Sequence, residues 1–313
     1  MHASWLSYDQ AIESRLIRRP VLAAAAGALV IAFSAPLVRL AEVSPSTAAV
    51  FRCAYALPLL GLLAWLERSR HGPADQGDRR LALIAGIFFA ADLTFWHHSI
   101  EAVGAGLATV LANVQVVLVG LLAWAVLGER PDRRSMLSVP LVLLGVVLIS
   151  GAIGAGAYGD DPALGALFGL LTALAYAVFL LVLRRAGGAG DRPAGPLFDA
   201  TLSASVAALL AGLVVGDFDP VPRAESQAWL VTLALTSQVL GWLLISVALP
   251  RVPALITSIV LTIQPAGSVI LGVVIFAEAP SAYQLFGVVL ILSGVIFATA
   301  PGRRAPAASP APG

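Results

Sequence analysis

The sequence predicts an all-α membrane protein with ten transmembrane helices, built as two inverted five-helix repeats. Three observations predict it: an apolar composition, ten apolar runs of membrane-spanning length, and an internal match between the two halves. Of the 313 residues, 59% are hydrophobic and 12% are charged, whereas soluble domains carry about 25% charged residues. The apolar residues are spread along the whole chain, which argues against a single anchor on a soluble domain.

Ten apolar runs are long enough to cross a bilayer, because a hydrocarbon core of roughly 30 Å takes about 20 helical residues. Loops rich in Pro, Gly and charged residues separate the runs, and none is long enough to hold a soluble domain. We number the runs spans 1 to 10. They cover residues 21–40, 46–66, 80–100, 103–127, 136–153, 162–183, 196–216, 227–249, 253–277 and 281–300.

Arginine placement predicts the orientation. All 19 basic residues are arginine, and short loops rich in arginine stay in the cytoplasm. With the N-terminus inside, 16 of the 19 arginines fall on the cytoplasmic side, so both termini are predicted to be cytoplasmic. Arginine without lysine, with abundant Ala and Gly, is typical of a GC-rich bacterium, so we expect the inner membrane. The net charge of +1 gives no indication of a nucleic-acid partner.

The two halves of the chain match each other. Residues 103–146 align with 252–295 without a gap at an offset of 149, and the matched pairs include Gln115 with Gln264 and Glu129 with Glu278. The offset corresponds to five spans. Because five is odd, the second copy enters the membrane in the opposite orientation, an arrangement that underlies alternating access around a midplane site.

The predicted organisation has four parts. A cytoplasmic segment covers 1–20, the first repeat 21–153 and the second repeat 162–300. The tail at 301–313 is rich in Pro and Ala and is predicted to be disordered.

Several motifs resemble a known family. Ala-Trp-Ala-Val-Leu-Gly-Glu-Arg-Pro occupies 123–131, a degenerate copy occupies 273–280, and span 2 contains Phe51-Arg52. Together with the stretches 91–99 and 108–113, these residues resemble the drug/metabolite transporter superfamily, specifically its EamA-type ten-helix members. The resemblance implies a ten-helix transporter fold that usually exports metabolites or amino acids. The small multidrug-resistance branch has a Glu in its first helix, which this chain lacks, so the resemblance does not extend to cationic-drug antiport.

Asp92 is the most informative polar residue within the spans. It lies twelve residues into span 3, about 18 Å deep, where a charge costs on the order of 3 kcal/mol or more. It is therefore expected to face protein or a water cavity, to be paired, or to be protonated. We expect Asp92 to bind substrate and couple protons, with a structural acid bonded to a neighbouring helix as the alternative. Trp96 shares its helical stripe.

Arg52 lies about six residues from the outer end of span 2. Three interpretations remain open for it. The side chain extends outward to the interface, binds a substrate carboxylate, or pairs with Asp92.

Amides form the rest of the candidate site. Asn113 lies about 15 Å deep in span 4, which would bring it level with Asp92, and Gln115 faces roughly the other side. Gln264 directly precedes Pro265, which removes a backbone hydrogen bond and favours a bent helix at the midplane. Helix-bridging hydrogen bonds are the alternative role for Asn113 and Gln115, and a tolerated packing kink is the alternative at Gln264 and Pro265.

Span 8 contains a pair that resembles the one in span 3. Gln238 and Trp242 are four residues apart, like Asp92 and Trp96. The two tryptophans are candidates for contact with an apolar part of the substrate, with core packing as the alternative. Tyr176 in span 6 is a candidate cavity hydroxyl.

The function predicted from these patterns is secondary transport of a small metabolite or amino-acid-like solute, by export or exchange. The sequence lacks a phosphate-binding Gly-Lys-Ser loop, so ATP is not expected to drive it. We expect no catalytic residue, no metal and no cofactor. The expected partners are the solute, the lipid bilayer and, as a possibility, a second copy of the chain. A membrane-embedded enzyme or lipid-processing protein is the alternative, for which the sequence shows no catalytic cluster.

Overall fold

The computed structural model of the chain describes residues 20–149, 161–188, 192–277 and 281–299. The predicted cytoplasmic segment up to residue 19 and the predicted tail lie outside them. The described residues form thirteen α-helices and one π-helical stretch, with no β-strand among them. The helices are α1 Pro20–Ala32, α2 Ser34–Ala41, α3 Pro45–His71, α4 Gln76–Asn113, α5 Gln115–Leu127, α6 Arg133–Ile149, α7 Pro162–Ala186, α8 Ala194–Val215, α9 Ala224–Leu233, α10 Trp242–Ala248, α11 Ala254–Leu261, α12 Ile263–Phe276 and α13 Ala282–Thr299, and the π-helical stretch is Ala234–Gly241.

Several spans consist of two or more helices in series. Span 1 is α1 and α2, span 8 runs from α9 through the π-helical stretch to α10, and span 9 is α11 and α12. By length and composition, seven of the described helical segments are able to cross a membrane. Shorter apolar helices occupy spans 4, 5 and 10, so the all-α multi-pass architecture is confirmed.

The long helix α4 contains both span 3 and the beginning of span 4. Its first arm runs antiparallel to α7, because Phe89 stacks on Phe179 and Ser99 bonds the carbonyl of Gly165. Its second arm runs parallel to α7, since Leu111 contacts Gly169 and the loop after α5 reaches Arg184. The two arms of α4 therefore run in opposite directions along α7, and the helix is bent back between Ser99 and Leu111, as a membrane hairpin requires.

Two ends of the bundle can be distinguished by their contacts. We call one the arginine-rich end; it contains the ion pairs of Arg79 with Asp199 and of Arg184 with Glu129. We call the other the opposite end; it contains Glu42 paired with Arg223. The starts of spans 3, 7 and 9 and the ends of spans 4 and 6 lie at the arginine-rich end, and the end of span 1 and the start of span 8 lie at the opposite end.

The inverted repeat is visible in the packing of spans 5 and 10. A methyl group on Gly145 would lie 2.8 Å from Ile291, and one on Gly294 would lie 2.6 Å from Val142. Gly145 and Gly294 are related by the offset of 149, and so are Val142 and Ile291. The two contacts are therefore the same contact seen from each repeat, as expected for a pseudo-twofold axis between them.

Three spans are kinked near mid-depth. At Phe33, Val114 and Thr262 the backbone N–H bonds the carbonyl three residues back instead of four, which is a 3₁₀ turn inside an α-helix. Two of the kinks have a proline as their cause, since Pro36 and Pro265 each lie three residues after the kink. Each proline thereby falls in the first turn of the following helix, where its missing N–H leaves no bond broken.

Candidate functional site

Arg52 is the centre of a polar cluster at mid-depth. Its side chain is buried, with 9% of the residue exposed, and its Nε donates to Gln238 Oε1 at 2.9 Å. Its Nη1 donates to Ser34 Oγ at 3.2 Å. Arg52 therefore points into the bundle, and of its three predicted roles the outward-extending one does not occur. The two bonds connect span 2 with the kink of span 1 and the π-helical stretch of span 8.

Asp92 lies beside this arginine without forming a close ion pair. The carboxylate is within electrostatic range of Arg52 and of Tyr176. No hydrogen bond to it is found among the described residues, and Asp92 retains 8% of its surface. A buried carboxylate near one guanidinium, and without a hydrogen-bond donor of its own, is poised to exchange partners.

An aromatic wall forms one side of the cluster. The ring of Trp242 packs edge-on against Phe89 and Phe179 at 5.6 and 4.9 Å, and Tyr176 adds a third edge contact at 6.2 Å. The Arg52 guanidinium lies 5.6 Å from the centre of the Phe89 ring, within the range of a cation–π interaction.

Several polar atoms in this part of the core have no hydrogen-bond partner. They include Trp242 Nε1 and Gln264 Nε2, together with Gln115 Oε1. The Gln264 side chain lies next to the Tyr176 hydroxyl, which places it in the same cluster as Arg52. A buried polar atom without a partner costs about 1–3 kcal/mol, so most such atoms in proteins have a protein or water partner.

The structure brings together six of the nine predicted site residues. Arg52 and Gln238 are hydrogen-bonded to each other. The electrostatic and ring contacts described above join four further residues to them: Asp92, Tyr176, Trp242 and Gln264. Gln238 also donates from Nε2 to Thr201 at 3.1 Å, so span 7 joins the cluster.

The described contacts do not connect the other three predicted residues to the cluster. Trp96 is half-buried and lies against His97 at 5.3 Å. Asn113 donates to the carbonyl of Thr109 in its own helix at 2.8 Å. Gln115 is buried at the start of α5, directly after the kink at Val114. The kink changes the helical phase, so the two-residue spacing of Asn113 and Gln115 does not determine their relative direction.

Four residues of the cluster were not predicted. Ser34 and Thr201 are the bonding partners described above, and Phe89 and Phe179 build the aromatic wall. Phe89 lies three residues before Asp92, on roughly the same helical face, which was the available signal for it. Pro36 was the signal for the kink that exposes Ser34.

A small cavity lies near the opposite end. It has a volume of about 60 Å³, and its lining includes Thr94, His97, His98 and Asp217. This cavity accommodates water rather than a solute. Within the described ranges, no group of three or more His, Cys, Asp or Glu side chains is arranged to hold a metal ion.

The arginine-rich end is closed by a more complete set of bonds. Glu129, just after α5, pairs with Arg184 at 2.5 Å and accepts from the backbone N–H of Ala254 at 3.0 Å. It therefore connects the ends of spans 4, 6 and 9. Glu67 accepts from the N–H groups of Ala194 and Gly195, both at 2.8 Å, which caps α8.

Comparison with known proteins decides the family. The sequence pattern of the EamA-like transporter family matches the chain twice, over residues 18–151 and 163–300. The chain belongs to the EamA-like transporter family. The family match agrees with the inverted repeat in the packing, and it points to a multi-pass membrane transporter.

Curated relatives of this EamA-like protein are also transporters. The uncharacterized transporter YxxF of Bacillus subtilis is 26% identical over 258 residues, which are 80% of each chain. An uncharacterized transporter of Archaeoglobus fulgidus is 26% identical over 200 residues, covering 64% of this chain and 68% of the relative. A protein crystal structure superimposes with a TM-score of 0.73 at 18% identity, covering 90% of this chain and 96% of that one. That likeness supports the fold alone.

Proposed function

We propose that this EamA-like protein is a secondary transporter, not driven by ATP, that exports or exchanges a small metabolite or amino-acid-like solute by alternating access. The bond from Arg52 to Gln238 is the observation that carries the proposal. It joins the first repeat to the second inside a membrane bundle, next to polar atoms without partners. Sites of inverted-repeat transporters lie at mid-depth between the repeats, where helices are interrupted.

The kinks supply the flexibility that alternating access needs. Two of the kinked spans, at Phe33 and Thr262, and the π-helical stretch depart from regular α-helix beside the polar cluster, and such interruptions are frequent at functional sites. In our proposal the two repeats rock about the cluster. The bonds at the arginine-rich end form when that side is closed and separate when it opens.

Asp92 is proposed as the residue that couples transport to protons. It is buried near one guanidinium and has no hydrogen bond among the described residues, so its charge is balanced only at a distance. A solute that changes this balance changes the free energy of the charged carboxylate relative to the neutral one. Proton binding and solute binding are then linked.

The orientation follows from the arginines. We propose that the arginine-rich end faces the cytoplasm of a bacterial cell, with the protein in the inner membrane and both termini cytoplasmic, as the positive-inside rule requires. The two repeats at 21–153 and 162–300 then enter from opposite sides. Association of two copies is compatible with this arrangement.

Reconstitution into liposomes tests the proposal. Purified protein is assayed for uptake of amino acids and small organic metabolites with and without a proton gradient. We expect protein-dependent flux of at least one solute, and loss of its proton-driven component in Asp92→Asn. The control is Glu225→Gln, an exposed acid in the first turn of α9. Undiminished proton-driven flux in Asp92→Asn would remove Asp92 from the coupling role, and no flux of any solute would overturn the transport proposal.

A further inference from the structure

We infer that the transported solute carries a carboxylate-type oxyanion, and that this group binds at Arg52 beside the aromatic wall. The inference rests on the proposed function and narrows it from a general metabolite to an organic anion with an apolar body. The cluster is defined above by Arg52, Gln238, Asp92, Tyr176, Trp242 and Gln264.

Hydrogen-bond donors outnumber acceptors among the unpartnered atoms of the cluster. Arg52 uses Nε and Nη1 in its two bonds, and no described residue accepts from its Nη2. Trp242 Nε1 and Gln264 Nε2 are also buried donors without partners. Beside these three donor atoms, the two carboxylate oxygens of Asp92 accept no hydrogen bond from a described residue. An acceptor-rich group is the complement of the three donors.

The charge of Arg52 is available to such a group. The ion pairs among the described residues join Arg79 to Asp199, Arg184 to Glu129 and Arg223 to Glu42, and Arg52 is in none of them. Its contacts are instead to a neutral amide and a hydroxyl. A guanidinium with a free N–H edge binds a carboxylate by charge-assisted hydrogen bonds, which are about twice as strong as neutral ones.

Asp92 acts as the counter-charge that the solute replaces. Its carboxylate offsets the charge of Arg52 from a distance and so permits a buried arginine when no solute is present. A second anion at Arg52 is repelled by Asp92, whereas a cation would be attracted by it. Neutralising Asp92 therefore has opposite effects on the two kinds of solute, and this difference makes the inference testable.

The aromatic wall accounts for the apolar part of the solute. Phe89 holds the Arg52 guanidinium over its ring and packs directly against Trp242. An anionic group at the free edge of Arg52 thus lies beside aromatic surface. Aromatic faces favour a flat or apolar body.

Binding of four matched probes tests the inference. Phenylacetate, phenylacetamide, 2-phenylethylammonium and phenylalanine share one aromatic body and differ in charge. Affinity is measured by calorimetry on the purified protein in detergent, near pH 7. We expect phenylacetate to bind at least about tenfold more tightly than the amide or the ammonium, as a charge-assisted bond provides.

Two variants separate an oxyanion site from a merely structural arginine. Arg52→Lys keeps the charge but loses the planar fork, so phenylacetate affinity should fall about tenfold or more. Asp92→Asn should raise phenylacetate affinity several-fold, whereas a structural role predicts a loss in both variants. Glu225→Gln serves as the control, with unchanged affinity. Should Arg52→Lys fail to fold, the direction of the Asp92→Asn effect still decides.

The outcomes that overturn the inference are distinct from those that overturn transport. Tighter binding of 2-phenylethylammonium or phenylacetamide than of phenylacetate, or loss of phenylacetate binding in Asp92→Asn, would contradict an oxyanion site. Either result is compatible with flux in liposomes, so transport would stand. Binding of phenylalanine, which carries the same carboxylate, agrees with the site. Preferential phenylacetate binding, increased in Asp92→Asn, supports the oxyanion assignment even if a liposome assay fails to detect flux.

Discussion

The mid-depth cluster and the arginine-rich end both contain charged groups inside the bundle. They differ in how completely those groups are provided with ion pairs and hydrogen bonds. At the arginine-rich end, Glu129 has a close ion pair and a backbone donor. At mid-depth, Arg52 and Asp92 interact only at a distance, and neighbouring donors have no partners. The first arrangement is complete without a ligand, whereas the second is not. The difference separates a region that holds the two repeats together from the region that we propose as the solute site.

The two regions meet at one close contact between spans 3 and 7. Gly86 packs on the carbonyl of Ala200. Ala200 lies between Asp199, which pairs with Arg79 at the arginine-rich end, and Thr201, which bonds Gln238 in the cluster. A change at this contact is therefore expected to affect both regions.

Breaking the cluster should have the largest effect on stability. Arg52→Gln removes the guanidinium that offsets the charge of Asp92, and with it the hydrogen bonds to Gln238 and Ser34. The expected loss is on the order of 3–5 kcal/mol of unfolding free energy, as for other buried charges that lose a partner. Unfolding in an SDS titration measures it.

A double-mutant cycle sharpens that prediction. If Arg52 and Asp92 balance each other, the pair Arg52→Gln and Asp92→Asn should cost less than the sum of the single changes by about 1–3 kcal/mol. Strict additivity would show that the two charges are independent and would remove the balance from the account.

Adding a methyl group at Gly86, where the two regions meet, should have the next largest effect on the free energy of unfolding. In Gly86→Ala the added methyl would lie 1.9 Å from the Ala200 carbonyl oxygen and 2.0 Å from Ser203 Oγ, so spans 3 and 7 must separate. Overpacking of this kind costs about 1–3 kcal/mol or more. Gly187→Ala is the matched control because its nearest atom lies at an ordinary 3.4 Å. A loss of equal size in the two variants would contradict close packing at Gly86.

Removing the ion pair of Arg184 with Glu129 at the arginine-rich end should have a moderate effect on the free energy of unfolding. Arg184→Gln leaves Glu129 with the Ala254 N–H as its donor, and the pair is only partly buried. We expect a loss of about 1–3 kcal/mol, between the values for exposed and fully buried pairs. Arg185→Gln, at the exposed neighbouring position, should change stability by less than about 0.5 kcal/mol. The same SDS titration compares the two.

The smallest effect is expected at a loop residue outside the spans. Asp132 lies just before α6 and accepts the backbone N–H of Ser135 at 3.2 Å, and hydrogen bonding from Ser135 lowers the pKa of Asp132. The stabilisation is therefore present above the ordinary pKa of an aspartate and is lost as the pH falls through the lowered value. Asp132→Asn should remove up to about 1 kcal/mol and reduce the acid dependence of Tm. An unchanged acid dependence would contradict this role.

The sequence predicted the architecture because lipid imposes it. Ten apolar runs, the arginine distribution and the offset of 149 led to the multi-pass fold and the inverted repeat, and the reciprocal contacts of Gly145 and Gly294 agree with them. Hydropathy and repeat symmetry are properties of the chain that need no knowledge of side-chain packing.

The site was predicted less completely, and the helical kinks explain why. Asp92, Arg52 and Gln238 stand out because charges and amides are rare within membrane spans. Ser34 and Thr201 do not stand out, since hydroxyls are common in such helices. The kinks at Phe33 and Val114 change which side chains face the cluster, and a regular helical period does not anticipate them.

Accessibility of position 34 from each side of the membrane tests the account most directly. Ser34→Cys is introduced in a Cys53→Ala background, which removes the single native cysteine, and a membrane-impermeant maleimide is applied to right-side-out or inside-out vesicles. The account predicts no labelling from the arginine-rich side until Arg184→Gln opens that end. Labelling from that side at the same rate with Arg184 intact, or no labelling from either side in both proteins, would contradict it.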